Sequence, residues 1–281
     1  MKIIDGKNLR DEILEKVKKE MASLPFQSVF CDVLVGNDLA SVQYAGMKAR
    51  SAESVGIKFH KANFPFSIST NDLIKEIKIL NKIPNMCGII IQLPLGGHID
   101  RQMVLDSIDP KLDVDCLGRM TSEKFYNNYD GENNLGFPTA LACLALLDSL
   151  NLDLKDKKIM VLGQGMLVGK PVAALLKFRG LNPTVITSKT VNQKELIKEA
   201  DIIISGIGKG KFIEGGMIKK GAVLIDAGTS ELNGGIVGDV DLKSVKGVAG
   251  YVSPVPGGVG PVTVAMLLQN VLKVAKGQKN D

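Results

Sequence analysis

The sequence predicts an α/β protein built as two α/β domains in series. Short apolar runs of strand length alternate with helical periodicities along most of the chain. A polar, turn-rich stretch at 118–137 (GRMTSEKFYNNYDGENNLGF) interrupts that alternation. A second alternation then opens on a glycine-rich turn between a strand and a helix, V-L-G-Q-G-M-L-V-G-K-P, Val161 to Pro171. The length of 281 residues exceeds the usual size of one domain and agrees with two domains or one large α/β unit.

Each element follows from its pattern. Residues 7–24 carry helical periodicity, 29–35 (VFCDVLV) read as a strand, 38–55 as a helix and 57–64 as a strand. A helix is expected over 70–82. The run 87–93 (CGIIIQL) is continuously apolar and short, as in a strand buried on both faces of a parallel sheet. After the polar boundary come a helix at Thr139–Leu150, strands near 158–162, 183–187, 201–205 and 222–226, and helices near 168–179 and 192–199. The polar boundary separates 1–137 from a second α/β series of Rossmann-like pattern that begins at 138.

Composition narrows the function. Hydrophobic residues make up 45% and charged ones 23%, with both signs dispersed, which is the profile of an ordinary globular protein. The net charge of +5 is not gathered into a basic patch interleaved with aromatics, so no nucleic-acid partner is expected. Cys31, Cys87, Cys116 and Cys143 lie far apart with no C-x-x-C and no His-rich partner, so neither a zinc site nor a disulfide framework is expected. The N-terminus reaches charged residues too soon for a signal peptide, and no apolar run spans a bilayer. A cytoplasmic protein with no metal and no membrane association is expected.

Several residues invite a chemical reading. Gly163 and Gly165 follow a strand and precede a helix, where glycine lets backbone N–H groups approach a pyrophosphate, but Gly169 comes one residue later than G-x-G-x-x-G requires. A tight strand–helix turn would use the same glycines. The next strand ends in T-S-K-T with no acidic residue for a ribose 2′-OH, so Ser188 and Lys189 favour a 2′-phosphate. In S-V-Q-Y-A-G-M-K, Tyr44 and Lys48 stand one helical turn apart; Tyr44 could pack at the core margin while Lys48 snorkels to water, or the pair could handle a proton. Tyr-x-x-x-Lys also marks short-chain dehydrogenases, but there the glycine loop precedes the dyad. Gln92 closes the apolar strand at the end where parallel sheets gather ligands. Asp113 and Asp115 read as turn residues, and His60 and His98 are given no role.

The C-terminal S-P-V-P-G-G-V-G-P-V-T, feeding a helix beside Pro261, is a rigid loop whose backbone can come close to a ligand. With V-G-N-D-L-A-S-V-Q-Y-A-G-M-K, I-Q-L-P-L-G-G-H-I-D, D-V-D, V-G-K-P-V-A-A-L-L, S-K-T, G-A-V-L-I-D-A-G and G-D-V-D, the chain closely resembles the bifunctional methylenetetrahydrofolate dehydrogenase/methenyltetrahydrofolate cyclohydrolase family over nearly its whole length. The resemblance implies two α/β domains flanking a cleft, 1–137 joined by a returning C-terminal helix at 262–281 and an NAD(P)-binding domain at 138–261, together with a homodimer, a folate substrate and NADP as cofactor, with NAD possible. It implies that Tyr44 stacks on the folate, Lys48 serves the hydrolytic step, Gln92 hydrogen-bonds that lysine, and Asp115 anchors the pterin. Pro256, Gly257 and Gly258 match the loop beside the folate, and Gly163, Gln164, Gly165, Gly169, Ser188, Lys189 and Thr229 match the dinucleotide site.

The chain also departs from that family. Gln164-Gly165 stand where Arg-Ser is common, Phe137-Pro138-Thr139-Ala140 replaces Pro-Cys-Thr-Pro, and Cys116 stands where a glycine usually follows the pterin aspartate. The histidine and cysteine common before Ser-Lys-Thr are missing. A monofunctional dehydrogenase or cyclohydrolase, or a noncatalytic folate- or nucleotide-binding homologue, remains the alternative at this point.

Overall fold

The structure, a computed structural model, describes residues 1–232 and 234–280. In chain order the elements are β1 (Lys2–Ile3), α1 (Gly6–Met21), β2 (Val29–Val35), α2 (Leu39–Ser54), β3 (Lys58–Phe64), α3 (Thr70–Leu80), β4 (Met86–Ile91), α4 (Arg101–Leu105) and α5 (Arg119–Asn128). They continue as α6 (Pro138–Asp148), β5 (Ile159–Leu162), α7 (Gly169–Phe178), β6 (Thr184–Ile186), α8 (Gln193–Glu199), β7 (Ile202–Ser205), β8 (Val223–Asp226), β9 (Ser230–Leu232), β10 (Gly235–Val237), β11 (Tyr251–Val252) and α9 (Val259–Asn280). The helices and strands read from periodicity are all present, with their ends displaced by a turn or less.

Two compact units contain these elements, 12–138 with 267–281 and 1–11 with 139–266. The sequence reading had placed residues 1–11 with the former. They join the latter because β1 adds a parallel edge strand to its sheet, with Lys2 N–H donating to the Gly250 carbonyl at 2.7 Å and Ile4 N–H to that of Val252 at 2.9 Å. Two-residue strands carry no periodicity, which is why β1 and β11 were not anticipated. The expected loop at 118–137 also holds a helix, α5, whose Thr121 and Phe125 bury one turn apart; its polar face hid this from the pattern. Phe125 lies within ring contact of Tyr126, Tyr129 and Phe137.

The unit of 12–138 and 267–281 centres on a three-stranded parallel sheet in the order β3-β2-β4. All six residues of β4 are buried, as expected for a parallel strand covered on both faces. Helix α2 starts where the Asp38 carboxylate accepts the Ser41 N–H at 2.9 Å, an N-terminal cap. The C-terminal part of α9 packs so close to β4 that a Cβ at Gly88 would lie 2.9 Å from Val271.

The unit of 1–11 and 139–266 carries a six-stranded parallel sheet in the order β1-β11-β8-β7-β5-β6. The chain runs from β5 out to β6 and returns to β7 on the other side of β5, which makes the β5–β7 boundary the topological switch point of a Rossmann-like sheet. Met160, Leu162, Ile203, Leu224 and Val252 are among its buried core residues. Two buried carboxylates tie its strand ends together. Asp226 accepts N–H bonds from Gly228, Asp239 and Val240, and Asp239 accepts the Ser205 hydroxyl and the N–H groups of Ile207 and Lys209.

Candidate active site

In the unit built on β2, β3 and β4, the sequence-predicted residues Tyr44, Lys48, Gln92 and Asp115 converge. Lys48 does not snorkel: its side chain is 3% exposed. Its ammonium donates to the Gln92 Oε1 at 2.7 Å and lies 5.0 Å from the centroid of the Tyr44 ring, inside cation–π range. Gln92 follows β4 directly; its N–H continues the ladder to the Val33 carbonyl, and its side-chain amide donates to the Leu93 carbonyl at 2.9 Å. Those bonds fix which end of the amide faces the lysine.

The third neighbour of Lys48 was not anticipated. Asp32, on β2 and 1% exposed, forms an ion pair with it at 2.7 Å through Oδ2, and its Oδ1 is buried with no hydrogen-bond partner among the described residues. The sequence signal was there: VFCDVLV puts one carboxylate in a strand whose other residues are apolar, where an unpaired charge is prohibitively costly. Burial pushes the Asp32 carboxyl above its usual range, while Lys48 and, more weakly, Lys61 pull it back.

Asp115 sits on a loop clamped from several sides. The segment before it runs parallel to β4, with Ile89 bridged to Asp113. The Asp113 carboxylate accepts the Leu117 N–H at 3.3 Å and the Gly118 N–H at 2.8 Å, so Asp113 is a loop-shaping residue, as its turn reading held. From α9, the Asn270 amide donates to the carbonyls of Val114 at 2.8 Å and Gly136 at 2.7 Å. Cys116 adopts a left-handed φ of 61°, the conformation that favours glycine, at the position where the resemblance had placed one. Desolvation, opposed by Lys48 and reinforced by Asp113 and Asp32, pushes the Asp115 carboxyl up to about 7. Burial, with Asp115 and Asp32 nearby, pushes the Tyr44 phenol up to about 12, so it is a neutral donor and stacking surface rather than a base.

Pro256, Gly257 and Gly258 belong to the other unit. There the Gly258 N–H donates to the Pro254 carbonyl at 2.7 Å and Gly257 has φ 107°, so this turn demands glycine. A Cβ at Gly6 would strike the carbonyls of Gly257 and Gly258, so the N-terminal segment packs directly on the loop.

The predicted dinucleotide residues in that unit all lie beyond the carboxyl ends of strands: Gly163, Gln164, Gly165 and Gly169 after β5, Ser188 and Lys189 after β6, and Thr229 after β8. Gly163 has φ 98°, and a Cβ on Gly169 would collide with its carbonyl oxygen, so the strand–helix packing requires these two. Gly165 is different: nothing surrounds its missing Cβ. No side chain caps α7; in its first turn Pro171 has no N–H and the Lys170 N–H donates to the Gly165 carbonyl at 3.1 Å, which closes the glycine loop onto the helix start beside the switch point. Gln164, Ser188, Lys189 and Thr229 are exposed. Among the described residues, no group of three or more His, Cys, Asp or Glu could hold a metal, and no helix is long and apolar enough to cross a membrane. All four cysteines are free and buried.

Comparison with known proteins agrees with this division. Residues 4–115 match the family profile "Tetrahydrofolate dehydrogenase/cyclohydrolase, catalytic domain", and residues 138–279 match its "NAD(P)-binding domain". The bifunctional protein FolD of a Nitratiruptor species is 41% identical over 283 residues, covering 99% of each chain. Among solved structures, the FolD methylenetetrahydrofolate dehydrogenase/cyclohydrolase of Campylobacter jejuni superposes with a TM-score of 0.94 at 34% identity over 99% of each chain. The Trypanosoma brucei FolD, complexed with NADP cofactor and inhibitor, gives a TM-score of 0.92 at 31% identity, covering 98% of this chain and 97% of that one. Two profiles matched in order, with full-length relatives at this identity, settle the matter: the chain belongs to the tetrahydrofolate dehydrogenase/cyclohydrolase family.

Proposed function

We propose that this chain oxidises 5,10-methylenetetrahydrofolate to the 5,10-methenyl cation with NADP and then hydrolyses that cation to 10-formyltetrahydrofolate. The observation that carries the reading is the buried Lys48 amine held at 2.7 Å by Gln92 and set over the Tyr44 ring. A buried titratable group with specific partners, set beside an aromatic face, is the arrangement of a proton-handling site.

Asp115 accepts the pterin's amino and ring N–H groups, and Tyr44 stacks on the folate. Ser188 and Lys189 hold the 2′-phosphate, the open backbone at Gly165 in the glycine loop before α7 takes the pyrophosphate, and Gln164 and Thr229 contact the same ligand. The bound nicotinamide supplies hydride acceptance. Loss of hydride leaves a cation already stabilised by its two nitrogens, so the protein's part in that step is alignment. Hydrolysis asks for more: water adding to the methenyl carbon must lose a proton, and Lys48 receives it. The enzyme works as a homodimer in the cytoplasm. Absorbance of the methenyl product, followed with NAD and NADP in parallel, tests the whole scheme. Formation and decay of that signal are expected with NADP; formation without decay would remove the hydrolase.

A further inference from the structure

A lysine that takes a proton from water must first be a neutral amine, and its buried neighbour is an anion. Burial or a nearby cation frees such an amine. Lys48 has the burial, but its ion-pair partner is Asp32. Helix α2 brings Lys48 and Tyr44 to Asp32; β3 places Lys61 opposite it in register; β4 offers only Ile90 there; and Asp115 is the remaining charge sensed nearby. Asp32 has no hydrogen-bond donor but the lysine among the described residues.

We propose that Asp32 is the proton partner of Lys48: the two side chains share one proton across their 2.7 Å contact, and the arriving methenyl cation drives it from the amine to the carboxylate. The inference rests on Lys48 being the hydrolytic base. The step balances. The ammonium N–H bond breaks and a carboxyl O–H bond forms, leaving Lys48 neutral and the charge of the pair unchanged. Water then bonds to the methenyl carbon, the C=N π pair returns to nitrogen, and the water's proton passes to the Lys48 nitrogen. After the ring C–N bond opens to the formyl product, with proton exchange through Lys48, the proton parked on Asp32 is released to solvent. That is the one proton the overall hydrolysis liberates. Burial supports the transfer, because a neutral pair avoids two desolvated charges and the carboxyl is already biased toward its protonated form. Asp32 touches no substrate in this scheme; it is a positioning residue acting through Lys48.

The distinguishing property is the pH profile. A pair that shares one proton is flat over a broad range between its two macroscopic titrations, whereas a lone amine must lose its proton to solvent. In Asp32→Asn, the ratio of variant to wild-type hydrolytic kcat should therefore climb about tenfold per pH unit below the amine's titration and then level, with the folate KM within about threefold and dehydrogenation largely retained. Because Asp32 also helps to raise Asp115, the ratio is taken at saturating folate, where the pterin occupies Asp115 in both proteins. Asp32→Ala supplies a second reading: added formate should restore hydrolysis saturably by filling the vacated carboxylate position. A ratio independent of pH, equal loss of both activities, hydrolysis faster than wild type at every pH, or a folded Asp32→Ala that formate cannot restore would overturn the proposal. Wild-type enzyme that accumulates methenyl-folate, or a Lys48→Gln variant with full hydrolysis, would instead overturn the function on which it rests.

Discussion

Replacing Lys48 by glutamine removes the amine while keeping much of the side chain's reach, and the structure sets two magnitudes for it. The first concerns stability. At 2.7 Å and an effective dielectric of about 20, the Lys48–Asp32 attraction is about 6 kcal/mol gross, most of it offset by desolvating two charges that are 3% and 1% exposed. Removing one partner leaves the other buried and uncompensated, at a cost of about 3–5 kcal/mol, reduced if the introduced amide donates to Asp32 or Asp32 takes up a proton. Without the lysine, only burial acts strongly on Asp32, so its folded titration moves further above the unfolded one. Stability is then fullest at acid pH and is lost as pH rises through that folded value. The variant should melt closest to wild type at acid pH and fall progressively behind it as pH rises. The second magnitude concerns rate. General-base catalysis contributes about 10² to 10⁴, so hydrolysis should fall by at least about a hundredfold while dehydrogenation, which needs alignment, keeps a measurable fraction. Methenyl-folate absorbance reads both at once: in the variant the product signal should rise and persist. Equal loss of the two activities would make Lys48 a shared binding residue, and wild-type hydrolysis would place the base elsewhere.

Three further outcomes are expected. Asp115, with its carboxyl pushed up to about 7, is protonated below that pH in the free enzyme, so folate affinity should rise with pH through about 7 and then level; Asp115→Ala should abolish this dependence and weaken folate use in both assays, and unchanged affinity would make it a turn residue only. Specificity constants should favour NADP over NAD, and Gln164→Arg should widen that preference by about tenfold to a hundredfold, the value of one charge-assisted contact of about 1.5–3 kcal/mol; a native preference of tenfold for NAD would defeat the assignment of Ser188 and Lys189. Gly169→Ala forces a Cβ against the Gly163 carbonyl oxygen, so the β5–α7 turn must open; a loss of about 1–3 kcal/mol in thermal unfolding is expected together with a raised KM for NADP, and a KM that did not move would leave the turn purely structural.

Local chemistry explains what could be read in advance. Helical periodicity and short continuously apolar runs marked the elements, because burial repeats about every 3.6 residues along a helix and is unbroken along a parallel strand covered on both faces, as in β4. Gly163 and Gly169 were legible for the same reason, since a turn between a strand and a packed helix excludes side chains wherever it occurs. Tyr44, Lys48, Gln92 and Asp115 were found as members of motifs rather than as neighbours. Their convergence needed the sheet: Lys48 and Gln92 are far apart in the chain and meet only because β2 and β4 pair in parallel and α2 packs over them. Phe125 and α5 were hidden because one buried stripe in a polar segment is a weak signal without the surface that covers it. Asp32 shows the division most plainly. The sequence by itself shows a carboxylate in an apolar strand, which chemistry says must have a partner; only the tertiary structure decides that the partner is Lys48, because the identity of a buried counter-charge depends on which helix lies across the strand and in what register.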